Sequence, residues 1–347
     1  ICQNGRDEKD DMTNQENKQL VWSYWQKANS GLSAADLREY FTDKVVWHGF
    51  EPLRHLSGAA EIWSEFWQPL QHAIPDLTRR PYHFIGGEYA DDRFSTAGEW
   101  VCGTGDFVGT FANDWALGDI VIPASGNTVH FRFGEFCKIE EGKIAQIRII
   151  IDLPDLLRQS GIVLFPSSYG RDIWIPGPLE EDGVCLDEQD PAETQQTFDL
   201  VTEMIFGGLN KYDGKSQESQ GLETYWHQHM VWHGPVGIGS AYGMDEFKKN
   251  AQGPIVNAFP DRRGVGHQAR IADGKFAAST GWPSLGGTHQ RKFMDWEPTG
   301  ERIGWNIMDF WKRDGDKLLE NWVIIDLIGA AKASKVDLLK PLRSKSR

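Results

Sequence analysis

Val46-Trp47-His48-Gly49 recurs residue for residue as Val231-Trp232-His233-Gly234, 185 positions further along the chain. The same separation relates matching residues on both sides of the motif, among them Leu37 and Leu222, Tyr40 and Tyr225, Gly58 and Gly243, and Pro75-Asp76 and Pro260-Asp261. A separation of 182 then relates Trp100 to Trp282, and one of 174 relates Ile151-Asp152-Leu153 to Ile325-Asp326-Leu327. Chance does not preserve one register over some forty residues, so the chain is a tandem duplication with small deletions in the second copy.

The length of the chain agrees with two folded copies. The 347 residues exceed what one hydrophobic core usually serves, and two units of roughly 150 residues match the common domain size. We predict a disordered N-terminal segment over 1–18, a first domain over 19–160 and a second over 194–340. The stretch 161–193 between them is rich in proline, glycine and acidic residues, which is typical of a linker. Its apolar residues lead us to expect that it packs along one domain, across a cavity mouth.

Charge and composition exclude several kinds of partner. The net charge of −14 disfavours nucleic acid and anionic membranes, because both require a basic surface. No uninterrupted apolar run approaches the roughly 18 residues of a membrane span, and the polar N-terminus does not resemble a secretory signal. The four cysteines are isolated, which predicts neither a zinc site nor a disulfide framework. A cytoplasmic location is therefore expected.

Each copy places helical patterns first and strand patterns afterwards. In the first copy, apolar residues recur at helical spacing over 19–28, 34–41 and 58–73, and the second copy has similar patterns from Gln195 onward. After Pro75 the apolar residues alternate, and turns rich in glycine, aspartate and asparagine separate the segments. Helices that precede a meander of antiparallel strands are typical of the α+β class. We predict two tandem cone-shaped α+β barrels, each a curved antiparallel sheet with three N-terminal helices, packed as an intramolecular pseudo-dimer.

The order of several short motifs resembles a known family. After Val46-Trp47-His48-Gly49 come the helix at Gly58, then Ile74-Pro75-Asp76-Leu77, Ile122-Pro123-Ala124-Ser125-Gly126, and Ile151-Asp152-Leu153-Pro154-Asp155. This succession resembles the SnoaL-like polyketide cyclases of the nuclear-transport-factor-2-like superfamily. The resemblance covers 19–160 fully and 194–336 more loosely. It implies the cone fold, but members of that superfamily differ in activity, so function has to be argued from the site.

The resemblance implies acid–base chemistry without a metal or organic cofactor. In such cyclases a base removes a proton next to a carbonyl, the enolate attacks a second carbonyl, and an acid protonates the alkoxide. The family's acid/base matches Asp152 and Asp326 here, just past the last strand of each copy. Capping of the following helix is the structural alternative for both aspartates. His48 and His233 are the other duplicated polar groups, and each is either a general base or a structural imidazole.

Further residues are candidates for contact with a ligand. Alternation along the last strand puts Arg148 on the face of Asp152, and Trp322 on the face of Asp326. Arg148 could pair with Asp152 and lower its pKa, or bind an anionic group of the ligand. The other candidates are aromatic or acidic residues that the two copies place on their strands and helices: Tyr40, Trp100 and Glu135 in the first copy, and Tyr225, Trp282 and Asp309 in the second. His227 and His229 precede His233 at alternate positions, but no third ligand has convincing spacing, so no metal site is predicted.

Three functional hypotheses follow. The first is a lyase or isomerase of the SnoaL-like kind that acts on a carbonyl-containing, aromatic or polyketide-like molecule, with the first copy closer to the cyclase pattern. The second is a hydrolase or dehydratase that uses the same aspartate and histidine to activate water. The third is a non-catalytic protein that binds a small molecule or serves as a pseudo-dimer scaffold. The expected partner is a small molecule, and pseudo-dimers could associate further into a homo-oligomer.

Overall fold

The computed structural model describes residues 13–343. Its first helix begins at Asn14, where Thr13 and Glu16 form a capping box that satisfies the free N–H groups of the first turn. The prediction of disorder over 1–18 is therefore wrong for Asn14 to Lys18, while 1–12 lie outside the described residues. Lys18 is fully buried and forms an ion pair with Asp273 of the second copy at 2.8 Å, which explains why so polar a segment is ordered.

The first domain contains four helical segments, a six-stranded sheet and a small two-stranded sheet. Its helices are α1 (Asn14–Asn29), α2 (Ala34–Tyr40), α3 (58–73, with a π turn at Trp63–Trp67) and α4 (Leu153–Gln159). Its strands are β1 (Phe41–His48), β2 (His55–Ser57), β3 (Thr78–Tyr89), β4 (Gly98–Thr110), β5 (Trp115–Leu117), β6 (Ile120–Ile122), β7 (Thr128–Glu140) and β8 (Lys143–Ile151). Val21, Tyr24, Trp25 and Ala28 are buried at the spacing of one helix face, so α1 packs against the sheet.

The second domain repeats this order. Its helices are α5 (Pro191–Glu203, continued by a π turn at Met204–Gly208), α6 (244–258, with a π turn at Phe247–Gln252) and α7 (Leu327–Ala333). Its strands are β9 (Trp226–His233), β10 (Ala241–Tyr242), β11 (Arg263–Gly264), β12 (Ala269–Asp273), β13 (Phe276–Thr288), β14 (Arg302–Asp314) and β15 (Lys317–Ile325). Short 3-10 turns at Leu209–Lys211, Gln217–Gln220 and Leu222–Thr224 replace α2, and another lies at Lys340–Leu342.

The two large sheets have the same strand order. The first runs β2-β1-β8-β7-β4-β3 and the second β10-β9-β15-β14-β13-β11, with β12 also paired to β13. Both are open sheets, and both are mixed rather than purely antiparallel, since β1 runs parallel to β8 and β9 runs parallel to β15. The predicted α+β cones are confirmed with this correction. Within 13–343, no helix is long and apolar enough to cross a membrane.

Strand register corrects one part of the sequence alignment of the two copies. Trp100 lies opposite Lys138, and Phe276 lies opposite Lys312, which is the counterpart of Lys138 in the second copy. Trp100 therefore corresponds to Phe276 and not to Trp282, so the predicted separation of 182 is wrong. β13 also carries a register shift between Gly281 and Leu285, so no single separation holds along this strand. The separations of 185 and 174 agree with the strand pairing on either side.

The outer faces of the two sheets pack against each other. The rings of Phe136 and Phe310, which are equivalent residues of the two copies, lie 5.6 Å apart. Gly134 leaves room for its own counterpart, since a Cβ there would come 2.9 Å from the sulfur of Met308. Contact between equivalent residues is the signature of a two-fold interface, here formed within one chain. The predicted pseudo-dimer is thus confirmed.

The segment between the copies runs along this interface and contacts both domains. Val184 forms a β-bridge with Phe84 of the first domain, and Pro176 accepts a hydrogen bond from the Trp322 indole of the second at 2.8 Å. Glu180 and Asp182 both pair with the buried Lys312. The expectation that the segment lies along one domain only is therefore wrong, because its apolar and acidic side chains bind on both sides of the interface.

Candidate functional site

A cavity of about 360 Å³ lies inside the second cone. Helical residues and the inner face of the sheet line it, and the indoles of Trp226, Trp232 and Trp311 are part of its wall. Its polar lining includes Asp309, Asn321, Arg262 and His267. Small-molecule sites are typically about 300–1,000 Å³ and combine an apolar wall with a few polar groups, so the second cone has the size and chemistry of a ligand site.

The interior of the first cone is filled instead. Its centre is a buried ion pair between Arg79 and Glu135, whose side chains are each 1% exposed. The Trp25 indole also donates to the Glu135 carboxylate at 3.0 Å. Five aromatic rings surround the Arg79 guanidinium at centroid distances of 4.8–5.3 Å: Tyr24, Trp25, Trp67, Phe107 and Phe133. Cation–π contacts and hydrogen bonds together offset the cost of burying the two charges.

Substitutions at equivalent positions open the second cone. Gly264 stands where the first copy has Arg79, so the second copy lacks this internal cation. Gln252 stands in place of Trp67, and Ile307 in place of Phe133. All three replacements line the cavity, and each is smaller than the residue it replaces. The volume of the cavity therefore follows from the loss of the arginine and of the rings that packed around it.

Asp309 is the counterpart of Glu135, and it faces this cavity. Burial raises the pKa of Asp309 from 3.8 to about 7, because the largely apolar surroundings of the cavity solvate the charged carboxylate poorly. The neighbouring Asn321 amide, which donates to the Phe310 carbonyl at 2.9 Å, offsets part of this shift in the Asp309 pKa. A carboxyl group with a pKa near neutrality can both accept and return a proton at physiological pH.

His267 lies at the same cavity. Burial and the neighbouring Arg270 lower its pKa to about 3, so the imidazole is neutral at pH 7. The Arg270 guanidinium donates to His267 Nδ1 at 3.2 Å, which assigns the ring proton to Nε2. His267 can then donate a hydrogen bond from Nε2 without carrying a charge.

The structure places Asp152 and Asp326 between the domains, outside the cones. The Asp152 carboxylate accepts from the Val236 N–H of the second domain at 3.1 Å, and Asp326 accepts from the Glu51 N–H of the first at 3.2 Å. The two contacts are equivalent under the pseudo-two-fold relation. Burial raises the pKa of both carboxyls to about 6. The expectation that they line the cones is wrong, because the strands end with this face towards the other domain.

The cleft beside Asp152 is too small for a substrate. Its volume is about 20 Å³, which is close to the space of one water molecule. Arg132 lies 3.4 Å from the Asp152 carboxylate, whereas Arg148 donates to Gln268, so the alternative in which Arg148 pairs with Asp152 is wrong. The capping alternative holds for Asp326, which accepts a hydrogen bond from the Gly329 N–H in the first turn of α7 at 2.9 Å.

His48 and His233 also point away from the cones. The ring of His233 stacks on Trp322 at 5.5 Å, and the ring of His48 lies 6.5 Å from Trp282 across the domain interface. Burial lowers the pKa of His48 to about 4 and that of His233 to about 3. Alternation explains their orientation, because the preceding Trp47 and Trp232 face inward.

Three of the predicted ligand-contacting residues belong to the same interface. Arg148 donates to Gln268 of the second domain at 3.1 Å, and its guanidinium lies 5.4 Å from the Trp282 ring. Trp322 packs against His83 of the first domain at 5.4 Å. Their expected position inside the cones is wrong, since Arg148 on β8, Trp322 on β15 and Trp282 on β13 lie on the face of their sheet that contacts the other sheet.

Four other predicted ligand-contacting residues pack against protein groups, and a fifth faces the cavity. Glu135 lies in the filled cone, and the Trp100 indole donates to the Thr96 carbonyl at 2.9 Å. The Tyr40 ring packs on Tyr24 at 5.7 Å beside α1. Tyr225 packs against the backbone of the π turn after α5, where a Cβ on Gly207 would lie 2.7 Å from its hydroxyl. Asp309 is the predicted ligand contact that lies in the large cavity.

The paired histidines do not belong to a metal-binding cluster. His227 Nε2 lies 3.0 Å from the Asp314 carbonyl, and its ring is 5.2 Å from that of His229. Among residues 13–343, no group of three or more histidine, cysteine or acidic side chains is arranged to hold a metal ion.

The sequence contains a signal for the open cone at positions outside the repeated motifs. The separation of 185 pairs Arg79 with Gly264 directly, and the separation of 174 pairs Glu135 with Asp309. The first copy therefore retains both members of an ion pair, whereas the second retains only the acid. The preference for the first copy came from its closer match to the cyclase motifs, whereas the cavity lies in the second copy.

A family model matches a segment of each domain. The family model for SnoaL-like polyketide cyclases matches residues 19–160 and 212–334. The chain is similar to a candidate SnoaL-like polyketide cyclase from Jannaschia sp. CCS1, with 16% identity and a TM-score of 0.35 over 43% of this chain and 95% of that one. It is similar to TsrD from Streptomyces laurentii, with 20% identity and a TM-score of 0.35 over 44% and 100%.

A third similar structure is an NTF2-like protein from Burkholderia thailandensis E264, with 16% identity and a TM-score of 0.32 over 43% of this chain and 98% of that one. No match was found among curated proteins. The family model covers more than half of the sequence, in one segment per domain. The chain belongs to the SnoaL-like polyketide cyclase family.

Proposed function

We propose that the second cone is the active site of an acid–base enzyme that acts on a carbonyl-containing, aromatic or polyketide-like small molecule. The single observation that carries this proposal is the Asp309 carboxyl, which faces a cavity of about 360 Å³ without the cation that neutralises its counterpart in the first cone. The first domain then serves as a scaffold. Asp152, Asp326, His48 and His233 act through the domain interface rather than on the substrate.

Asp309 has the properties that a proton-transfer step requires. Its pKa of about 7 leaves a substantial carboxylate fraction at neutral pH and makes the protonated form an effective donor. As a base it takes a proton from the carbon next to a substrate carbonyl, and the electron pair of the broken C–H bond moves into an enolate. The enolate carbon attacks a second carbonyl of the same molecule, and the new alkoxide takes the proton back from Asp309.

The cavity wall favours a flat substrate with a polar edge. Trp226, Trp232 and Trp311 offer large apolar surfaces for an aromatic molecule. The neutral His267 can donate from Nε2 to a carbonyl or enolate oxygen, and its low pKa prevents it from competing as the base. Asp309 therefore transfers the proton, and His267 stabilises the negative charge that develops on the substrate oxygen.

Exchange of α-protons with solvent deuterium tests the proposal without knowledge of the substrate. We would incubate the full chain with 2-acetonaphthone in D₂O and follow loss of the methyl proton signal by NMR. Wild type is expected to accelerate the exchange, and Asp309→Asn is expected to lower the rate by about 10²–10⁴-fold, the usual contribution of a general base. Asp152→Asn and Asp326→Asn are the matched controls and should retain the wild-type rate.

Each outcome separates the competing functions. Loss of exchange in Asp152→Asn or Asp326→Asn, with normal exchange in Asp309→Asn, would refute the assignment. Binding of the ketone without accelerated exchange in wild type would favour a non-catalytic binding protein. Hydrolysis or dehydration of a screened substrate that depends on Asp309 would retain the residue and change the reaction class. A cytoplasmic location and assembly into homo-oligomers remain predictions from the sequence.

A further inference from the structure

Arg262 is a buried cation at the wall of the second cavity. Arg262 is 7% exposed, and it lines the cavity together with Asp309. Within the part of the chain that the structure describes, Arg262 forms no ion pair with a carboxylate. Burying a charge without a counter-charge is costly, so its retention needs an explanation.

The protein satisfies Arg262 only in part. The Gln252 side-chain oxygen accepts from one terminal nitrogen at 3.1 Å, and the Tyr212 ring lies 5.2 Å from the guanidinium carbon. The Nε atom is buried and has no hydrogen-bond partner. Burial lowers the pKa of Arg262 to about 10, and the neighbouring Arg263 acts in the same direction, so the group is still charged at pH 7.

The fold itself does not require an arginine at this position. The first copy has Leu77 here, and the backbone is the same in both copies. The Leu77 N–H donates to the Ile74 carbonyl at 3.1 Å, and the Arg262 N–H donates to the equivalent Phe259 carbonyl at 3.0 Å. The arginine is therefore particular to the copy that has the open cavity.

The other charged groups at the cavity do not neutralise Arg262. Arg93, which reaches the cavity from the first domain, is itself paired with Asp91 at 2.5 Å. His267 is neutral, and Asp309 carries only part of a charge at pH 7. The cavity thus presents an unneutralised cation in a protein whose net charge is −14.

We infer that the ligand of the second cone carries a carboxylate, and that Arg262 is the residue that binds it. A planar guanidinium matches a carboxylate in charge and geometry, and a ligand carboxylate can accept from the terminal N–H groups of Arg262 that Gln252 does not occupy. The inference rests on the proposed function in that both use this cavity, and it adds that the carbonyl-containing aromatic substrate also carries a carboxylate.

Two probes of the same shape and different charge test the inference. We would measure the Kd values of 2-naphthoate and 2-naphthamide for the full chain by calorimetry at pH 7.5. Wild type should bind 2-naphthoate about tenfold more tightly, as expected for a buried charged hydrogen bond. Arg262→Leu, which introduces the residue of the first copy, should remove this preference and leave the Kd of 2-naphthamide within about twofold of wild type.

The controls isolate the position of the charge. Arg263→Leu removes the same charge from an exposed neighbouring residue and should keep the preference. Arg262→Lys keeps the charge without the planar fork and should keep part of it. Two results with wild type would overturn the inference: equal Kd values of the two probes, or no binding of 2-naphthoate at millimolar concentration. Two results with Arg262→Leu would also overturn it: a preference for 2-naphthoate that survives, or an equal loss of affinity for both probes.

The test is independent of turnover. Asp309→Asn should keep the preference for 2-naphthoate even though it loses α-proton exchange. If Asp309→Asn instead exchanged normally, the proposed function would fail while the carboxylate preference of Arg262 stood. If the preference were absent while exchange depended on Asp309, the inference would fail alone.

Discussion

Arg79 and Gly264 occupy the same position in the two sheets. Arg79 lies beside Phe107, which lies beside Phe131 in the next strand. Gly264 lies beside Leu285 and then Trp305, and Trp305 is the counterpart of Phe131. One copy therefore fills its cone with a guanidinium, and the other has no side chain at all there. This single difference decides which carboxyl group, Glu135 or Asp309, has a cation beside it.

We expect activity to rise with pH through the Asp309 titration. The base must be ionised, and its pKa is about 7, so the exchange rate of 2-acetonaphthone should be half-maximal near pH 7 and level above pH 8. An ordinary surface aspartate would give a midpoint near pH 4. A pH–rate profile measured by NMR checks this, and a flat profile from pH 5 to 8 would contradict it.

The same shift has a consequence for stability. The folded state holds the Asp309 proton more tightly than the unfolded state, so stability from this group is present below pH 4 and is lost as the pH rises towards 7. Asp152, Asp326 and Glu320 also have raised pKa values and act in the same direction. The difference in Tm between wild type and Asp309→Asn isolates the contribution of Asp309. The Tm of the variant minus the Tm of wild type should increase from pH 5 to pH 8. Equal Tm changes in both proteins would argue against the raised pKa.

Gly264→Arg should close the second cavity. The new guanidinium would reach Asp309 as Arg79 reaches Glu135, so the Kd of 2-naphthamide should increase at least about tenfold. A Cβ at this position would lie 2.6 Å from the Asn210 side-chain oxygen, a flexible group that can move aside. Gly264→Ala is the control, because it meets the same neighbour without filling the cone. Calorimetry with unchanged affinity in Gly264→Arg would contradict the explanation of the open cone.

Glu135→Gln should destabilise the protein without affecting the cavity. It leaves Arg79 buried without a counter-charge, which typically costs about 3–5 kcal/mol of unfolding free energy. The equivalent change Asp309→Asn should leave the unfolding free energy unchanged or raised at pH 8, because no cation depends on that carboxylate. Urea unfolding measures both variants. Similar losses in the two would show that the cones are electrostatically alike.

Asp152 and Asp326 should contribute to the docking of the domains. Asp152→Asn and Asp326→Asn each weaken a buried hydrogen bond to a backbone N–H of the other domain, which costs about 1–3 kcal/mol. Both should lower the Tm while α-proton exchange at 25 °C stays at the wild-type rate. Asp43→Asn, at an exposed position on β1, is the control and should leave the Tm close to wild type. A fall in exchange with an unchanged Tm would instead favour a catalytic role.

Local patterns in the sequence predicted most of the fold. The helix over 58–73 and the strands that come after Pro75 follow from apolar spacing and turn residues, and the structure has both. The start of α1 was missed because Asn14 to Lys18 are polar. Lys18 is ordered by Asp273, which lies in the other domain and cannot be inferred from local spacing.

The repeat by itself determined that there are two copies of one α+β cone and which residues correspond at both ends of each copy. Only the tertiary structure decided which face of each strand lines a cone. Alternation puts Asp152, His48 and Trp322 on one side of the sheet, but the sequence does not say whether that side meets the helices or the other domain. Because the sheets pack through their outer faces, these residues became an interface. Asp309, on the inner face opposite the missing arginine, became the carboxyl group of the cavity.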